Sequence, residues 1–249
     1  MSKEIAIVFG ASGFLGSHVA EALSSDGYQV RLFDRTPSDF KRSDQEMIVG
    51  DIMNLEDVTK AIQGASIVYN FAAIADIDEA NEKPLATAEV NILGNMNVLE
   101  ASRLAEVRRF IFASSVYVYS ESGSFYRASK QAAERFIETY QDRYGLDYTI
   151  LRYGSLYGRR TDDRNGIYRM LHEAIEQRSI TYKGSGEAIR EYIHVEDAAR
   201  MSVQVLAPEF ANRHLILTGQ ERMRIKDVMT MISEIMPWPV KLHFDEANT

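Results

Sequence analysis

Ser115, Tyr126 and Lys130 are the residues whose types and spacing can do chemistry. The stretch FIFASSVYVYSESGSFYRASK, Phe110 to Lys130, reads as a buried strand ending in two serines, a short Gly/Ser loop and the start of a helix. A hydroxyl at a strand end, a tyrosine at a helix N-terminus and a lysine one turn later make a proton-transfer site for an alcohol or ketone. Beside a nicotinamide cofactor, the same site serves hydride transfer. A tyrosine ordinarily ionises near pH 10, so a base near neutrality needs help; Lys130, the helix N-terminus and a cationic nicotinamide would all favour the phenolate. A Tyr-x-x-x-Lys pair alone means little, and Ser114 is read as a turn serine. The position of the pair after Ser-Ser is what gives it weight.

The elements that must position these groups precede them. Ile5 to Phe9 is a continuous apolar run, as for a strand buried on both faces. It leads into Gly10-Ala11-Ser12-Gly13-Phe14-Leu15-Gly16 and then helix-periodic Val19, Ala20 and Leu23. Glycines there let the backbone turn sharply and approach a pyrophosphate, whose charge sits on the helix N-terminus. A second strand, Val30 to Phe33, ends in Asp34, placed to bond the adenosine ribose. A carboxylate repels a 2′-phosphate, which favours NAD over NADP, although Arg35 beside it could pair with that phosphate. Asp51, after a short strand at Met47 to Val49, either meets the adenine edge or caps a helix. The strand from Ser66 to Phe71 runs into Ala72-Ala73, small residues against which a cofactor could lie. Pro84 to Ala105 is predicted helical, with Asn91 inside it and read as bonding locally. Strands at Arg109 to Ala113 and Tyr148 to Leu151 complete an alternation that predicts a doubly wound parallel sheet. Gly10, Asp34, Ala72 and Ser115 all fall at the carboxyl ends of its strands, where such sheets hold ligands.

The bulk numbers restrict the partners. The 249 residues are 45% hydrophobic with a net charge of −8, enough for a core and against a nucleic-acid binder. Cysteine is absent, which rules out disulfides and thiolate ligands and fits a cytoplasmic location. No metal and no membrane span are expected, because no apolar run is long enough to cross a bilayer. After Arg152 the texture changes to Tyr153-Gly154-Ser155-Leu156-Tyr157-Gly158, followed by Arg159, Arg160, Arg164 and Arg169. That cluster is either a polyanion site or a solvated face. Helices at Ile167 to Gln177, Ala198 to Leu206 and Ile225 to Ile235, with a strand at Leu215 to Leu217, predict a small lobe. The expected division is residues 1–154, dinucleotide binding, and 155–249, substrate binding, with 190–206 packing back on the first.

Together these residues resemble the extended short-chain dehydrogenase/reductase family, the NAD-dependent nucleotide-sugar epimerases and dehydratases. The resemblance runs from residue 4 to about 235. It rests on Gly10, Gly13 and Gly16 with Phe14, on Asp34, Gly50-Asp51-Ile52 and Asn70-Phe71-Ala72-Ala73. It also rests on Val90-Asn91 with Gly94, on the Ser115, Tyr126, Lys130 trio, on Leu151-Arg152-Tyr153 and on Arg190-Glu191-Tyr192-Ile193-His194-Val195. The resemblance implies a Rossmann-type fold with a small substrate lobe, and NAD held by the glycine segment with Ser12, Leu15, Asp34, Arg35, Asp51, Ile52, Phe71, Ala72, Ala73, Asn91, Lys130 and Tyr153. It implies a nucleotide-diphosphate sugar substrate contacted by Tyr117, Ser155 and Arg190, and a homodimer formed through the helices beginning near Pro84 and Tyr126. The expected reaction is 4-epimerisation, with net oxidoreduction of a nucleotide sugar and a non-catalytic dinucleotide sensor as alternatives. Val116 and Tyr117 stand where sugar dehydratases carry carboxylates, which disfavours water elimination. The loop from Ser115 to Tyr126 is short for the family, and the chain ends soon after the Ile225 helix, so the lobe is expected to be shortened.

Overall fold

Segments with unbroken apolar runs occupy the middle of a parallel sheet, as burial on both faces demands. In the computed structural model, which describes residues 3–245, the chain begins with β1 (Ile5–Phe9), α1 (Phe14–Ser25), β2 (Gln29–Asp34), β3 (Glu46–Val49), α2 (Leu55–Ile62) and β4 (Ile67–Asn70). It continues through α3 (Ile77–Glu82), α4 (Pro84–Ala88), a π-helical turn (Glu89–Gly94), α5 (Asn95–Leu104) and β5 (Arg109–Ser115). A 3-10 turn (Val116–Tyr119), α6 (Ser124–Tyr144), β6 (Tyr148–Tyr153), β7 (Ser155–Tyr157) and α7 (Gly166–Glu176) follow. The last elements are β8 (Ser179–Lys183), β9 (Ile189–His194), α8 (Val195–Gln204), β10 (Arg213–Leu217), β11 (Arg222–Arg224), α9 (Ile225–Ile235) and β12 (Lys241–Asp245).

Seven of these strands form one parallel sheet in the order β10-β6-β5-β4-β1-β2-β3. Phe9, Phe33, Phe110 and Phe112 from its strands pack with Val58 and Ile62 of α2, Val98 and Leu99 of α5, and Ala133 and Ile137 of α6. Each of the Phe, Val, Leu and Ile side chains among these contributes about 1.5–3 kcal/mol on leaving water. The order reverses between β1 and β4, whose ends are tied by the Phe71 amide donating to the Phe9 carbonyl at 3.0 Å. A doubly wound sheet opens its ligand crevice at this switch point.

The chain divides into two compact units. The first holds the residues up to Tyr153 together with Ala199–Leu217, and the second holds Gly154–Ala198 with the residues from Thr218 onward. The segment expected to return to the first unit therefore does so only from Ala199, and the return extends through β10. That strand, expected in the lobe, pairs with β6 instead, Leu215 opposite Leu151. Its polar start and half-buried middle suit a sheet edge. Tyr69 and Tyr153 hold the second half of α8, their hydroxyls 2.8 Å from the Ser202 carbonyl and 2.6 Å from Ser202 Oγ. In the second unit, β9 lies between β7 and β11, and β12 runs parallel to β8. Met170, Ile180, Val228, Met229 and Ile232 form its apolar cluster.

The helix expected from Pro84 to Ala105 is interrupted. Residues Glu89–Gly94 widen into a π turn, a feature common at functional sites. The wider turn carries Asn91 inward, where its Oδ1 accepts from the Ile74 amide at 2.8 Å. Its Nδ2 donates to the Ile74 carbonyl at 3.0 Å and to Ser129 Oγ at 2.9 Å. Asn91 thus bonds across the fold rather than along its own helix.

Candidate active site

The glycine segment meets the sheet at the switch point. Gly10, at φ +76°, leaves β1 in the left-handed region, and a Cβ there would lie 2.7 Å from the Ala72 amide nitrogen. At Gly16 a Cβ would stand 2.1 Å from the Gly10 carbonyl oxygen, so α1 can approach the turn only without a side chain. Gly13 caps α1 without a side-chain bond, and the first turn of α1 carries no acid. Its amides are therefore free for an anion. At the end of β2, Asp34 Oδ2 accepts from the Ser12 amide at 2.9 Å and Oδ1 from the Thr36 amide at 3.4 Å. Each carboxylate oxygen keeps a further lone pair for a ligand hydroxyl. A bare helix start, a cradle that a methyl would fill and an acid at the next strand end fit a dinucleotide. Gly16→Ala is expected to lower NAD affinity at least about tenfold and the thermal midpoint by several degrees, because overpacking a tight contact costs about 1–3 kcal/mol. Gly166, with open space around it, is the neutral control; calorimetry and NAD titration of both alanine variants check this.

The remaining residues expected at the cofactor lie in the same unit with varied roles. Phe14, Leu15, Ala72, Ala73 and Phe71 are half-buried around the crevice strands, and Arg35 is exposed beside Asp34. Asp51 Oδ1 accepts from the Met53 amide at 2.9 Å, while Asn54 caps α2. Ile52 is buried and meets the face of Gly94. Tyr153 packs edge-on against Phe71 with its hydroxyl committed to Ser202, which makes it a core residue.

Three consecutive residues at the end of β5 face the N-terminal half of α6. Ala113 accepts from Lys130 Nζ at 2.7 Å. Ser114 Oγ donates to Glu134 Oε1 at 2.5 Å. Ser115 lies beside Tyr126, whose phenol it holds lower, and its Oγ accepts from the Tyr117 amide at 3.2 Å. Gly123, at φ +96°, starts α6 so that Tyr126 falls in its first turn. The short loop is pinned to the helix by Arg127 donating to the Ser120 carbonyl at 2.5 Å and Gln131 to the Val118 carbonyl at 2.9 Å. Tyr117 stands edge-on to Tyr126, with ring centroids 6.5 Å apart.

The electrostatics differ from the expectation of a depressed phenol. Burial pushes Tyr126 up to about 12, against the smaller lowering by the Ser115 hydrogen bond. Burial likewise pulls Lys130 down to about 8, opposed by the Glu134 carboxylate. Lys130 is only 3% exposed, and its ammonium lies 4.7 Å from the Phe112 ring centroid and 5.7 Å from that of Tyr126. Removing both groups from water favours their neutral forms, and this outweighs the pairing read from sequence. Hence the protein's own groups leave Tyr126 protonated at neutral pH.

Two residues missed in the sequence, Glu134 and Ser129, support the trio. Glu134 follows Lys130 by one helical turn, the signal that could have found it. Ser129 Oγ donates to the Tyr126 carbonyl at 2.8 Å and links it to Asn91. Three of the four clustered arginines, Arg159, Arg164 and Arg169, lie on a solvated face, and Arg160 is half-buried. Arg159 and Arg164 pair with Glu196 and Asp162 at 2.6 Å, and Arg169 donates to the Asp163 carbonyl. Ser155 on β7, opposite Tyr192, and half-buried Arg190 on β9 lie in the second unit.

A seven-stranded doubly wound sheet with a glycine cradle at its switch point and a Ser, Tyr, Lys trio two strands on defines a Rossmann-type short-chain dehydrogenase/reductase. The model of the NAD dependent epimerase/dehydratase family matches residues 6–216, and the chain belongs to that family. It is 28% identical over 222 residues to the putative UDP-glucose 4-epimerase of Methanocaldococcus jannaschii, covering 80% of this chain and 72% of the relative. To the UDP-glucuronate 4-epimerase of Thermodesulfobacterium geofontis it is 28% identical over 230 residues, with 81% and 71% covered. The fold matches that of a UDP-N-acetylglucosamine 4-epimerase from Methanobrevibacter ruminantium in complex with UDP-N-acetylmuramic acid. That match has TM-score 0.89 and 24% identity, covering all of this chain and 88% of the other.

Proposed function

We propose that the chain is an NAD-dependent 4-epimerase of nucleotide-diphosphate sugars. The convergence of Ser115, Tyr126 and Lys130 on one strand end, in a member of this family, carries the reading. NAD, when bound, supplies a reversible two-electron acceptor for the sugar carbinol. Gly10, Gly13 and Gly16 would seat its pyrophosphate on the start of α1, and Asp34 would accept from its adenosine ribose. Tyr126 Oη takes the proton of the sugar C4 hydroxyl and returns it after the sugar turns over. Ser115 Oγ donates to the same oxygen, and Lys130 favours the phenolate form of Tyr126 as long as its ammonium is charged.

Epimerisation is favoured over water elimination by the 3-10 turn after Ser115, VYVY, which offers no carboxylate to protonate a leaving hydroxyl. The names of the two relatives above support the same reading, as do UDP-sugar complexes among the fold neighbours. Incubation with a panel of nucleotide sugars, following nicotinamide absorbance and product stereochemistry together, tests it. Epimer is expected without net NADH. Accumulating NADH with a 4-keto product would establish the net oxidoreductase instead, and binding without turnover the sensor.

A homodimer accords with solvent-facing apolar side chains on the helices that precede and follow β5. Leu85 is 80% exposed, Leu93 54% and Phe136 39%, more than scattered surface leucines require. A solution mass twice that of one chain is expected, reduced to one chain by Leu93→Arg; a monomeric native protein would refute it. A cytoplasmic site accords with the cysteine-free sequence. Among the described residues no helix is long and apolar enough to cross a membrane.

A further inference from the structure

Glu134 is a charged side chain, 6% exposed, outside the trio yet joined to every element that carries it. Its Oε1 accepts from Ser114 Oγ at 2.5 Å and from Arg152 Nε at 3.0 Å, and its Oε2 from Arg152 Nη2 at 2.6 Å. Arg152 is held in turn by Tyr119, whose hydroxyl accepts from Nη1 and whose ring lies 4.7 Å beneath the guanidinium. Arg152 Nη2 also donates to His214 Nδ1 at 2.7 Å, and His214 Nε2 faces Glu138 Oε1 at 3.0 Å. One carboxylate thereby ties α6 to β5, β6, β10 and the 3-10 turn.

We propose that Glu134 is a positioning residue for proton transfer, fixing the register of α6 against the strand end that bears Ser115. The inference rests on the proposed reaction. Its geometry is two hydrogen-bonded ties from consecutive residues of β5 to successive turns of α6, Ala113 to Lys130 and Ser114 to Glu134, with Ser115 beside Tyr126 one turn earlier. Lys130 and Glu134 are successive turns of one helical face, so a strand in register with one is in register with the other. Without the tie at Glu134, α6 could slide relative to β5 with the Lys130 bond to Ala113 left to resist. A displacement of about 1 Å at the reacting atoms is enough to lower a rate by about a hundredfold.

Glu134 has a second effect, through charge. It is the anion that opposes the fall of Lys130 toward about 8. The charged or titratable groups facing it are Arg152 and Tyr148 from β6, His214 from β10, Tyr119 through Arg152, and Lys130 and Glu138 from α6. Lys130 is in turn faced by Tyr126 and Glu134. Removing the Glu134 charge lowers the pH at which Lys130 loses its proton.

The test compares native protein with Glu134→Gln by lysine NMR titration, with Lys130→Met assigning the signal, and by kinetics on an epimerisable nucleotide sugar. The Lys130 midpoint near 8 is expected to fall by about one pH unit in the variant. The alkaline limb of kcat/KM moves with it, and kcat falls about tenfold or more, while KM and NAD affinity stay within a few-fold. Should Glu134→Gln not fold, Glu134→Gln with Arg152→Gln removes both charges together and carries the same expectations, and Ser114→Ala removes the tie to β5 alone. An unchanged Lys130 midpoint together with an unchanged kcat would overturn the proposal. Absence of turnover in the native protein would instead overturn the proposed reaction, and the NMR titration would still read the link between Glu134 and Lys130.

Discussion

Tyr126→Phe is expected to lower turnover about a thousandfold while NAD affinity and thermal midpoint stay near native values. The substitution deletes one oxygen. That oxygen is the atom the reaction needs, because among the three groups at the end of β5 only the phenol can both take and return a proton. Ser115 lies beside Tyr126 and accepts from the Tyr117 amide, and Lys130 is bound to the Ala113 carbonyl. The phenol is pushed up to about 12, so its anion is a small minority at neutral pH. Turnover by the native protein is therefore expected to rise with pH through the neutral range and to level off near 8, where Lys130 sheds its charge. Steady-state kinetics with NAD titration on the same preparations check this. Residual turnover within about tenfold of native would remove Tyr126 as the base.

Lys130→Met is expected to reduce turnover by a similar factor and, at the same time, to raise stability at neutral pH. Burial lowers Lys130 from 10.5 to about 8. The folded state thus binds this proton more weakly than the unfolded chain does. Stability rises with pH between about 8 and 10.5, where the unfolded chain still holds the proton, and the full cost of the buried charge is present below about 8. At 1.4 kcal/mol per pH unit that cost is about 3 kcal/mol, an upper figure because methionine also gives up the bond to Ala113. The variant should unfold at higher denaturant than the native protein at pH 7, and the gap should close as the pH approaches 10. A gap independent of pH would show that the lysine is not the source. A buried amine kept at this cost accords with the role proposed for Lys130.

How much of this was legible beforehand follows from the range of the interactions concerned. The strand at Ile5–Phe9 and the helix at Ile225–Ile235 coincide with their sequence readings, because apolar period and flanking turn residues are local signals. The π turn was not legible, since Asn91 leaves the helical register to meet Ile74 and Ser129, partners 17 and 38 residues away. Nor was the place of β10: five residues cannot announce that their neighbour is β6, more than sixty residues earlier. The arginines after Tyr157 formed a cluster in sequence, but Arg164 pairs with its neighbour Asp162, and the fold brings Glu196 to Arg159.

The sequence alone determined which groups are present for the chemistry and their local order. Glycines at 10, 13 and 16 allow the tight turn, and a tyrosine and lysine four apart share a helical face whatever surrounds them. The tertiary structure alone decided their state. It buried Lys130 and half-buried Tyr126, and so set the direction in which each proton affinity moves. It also supplied Glu134 and Arg152 as the clamp that sets α6 against β5. Spacing along a chain is covalent, whereas desolvation and register depend on what the fold packs against each side chain.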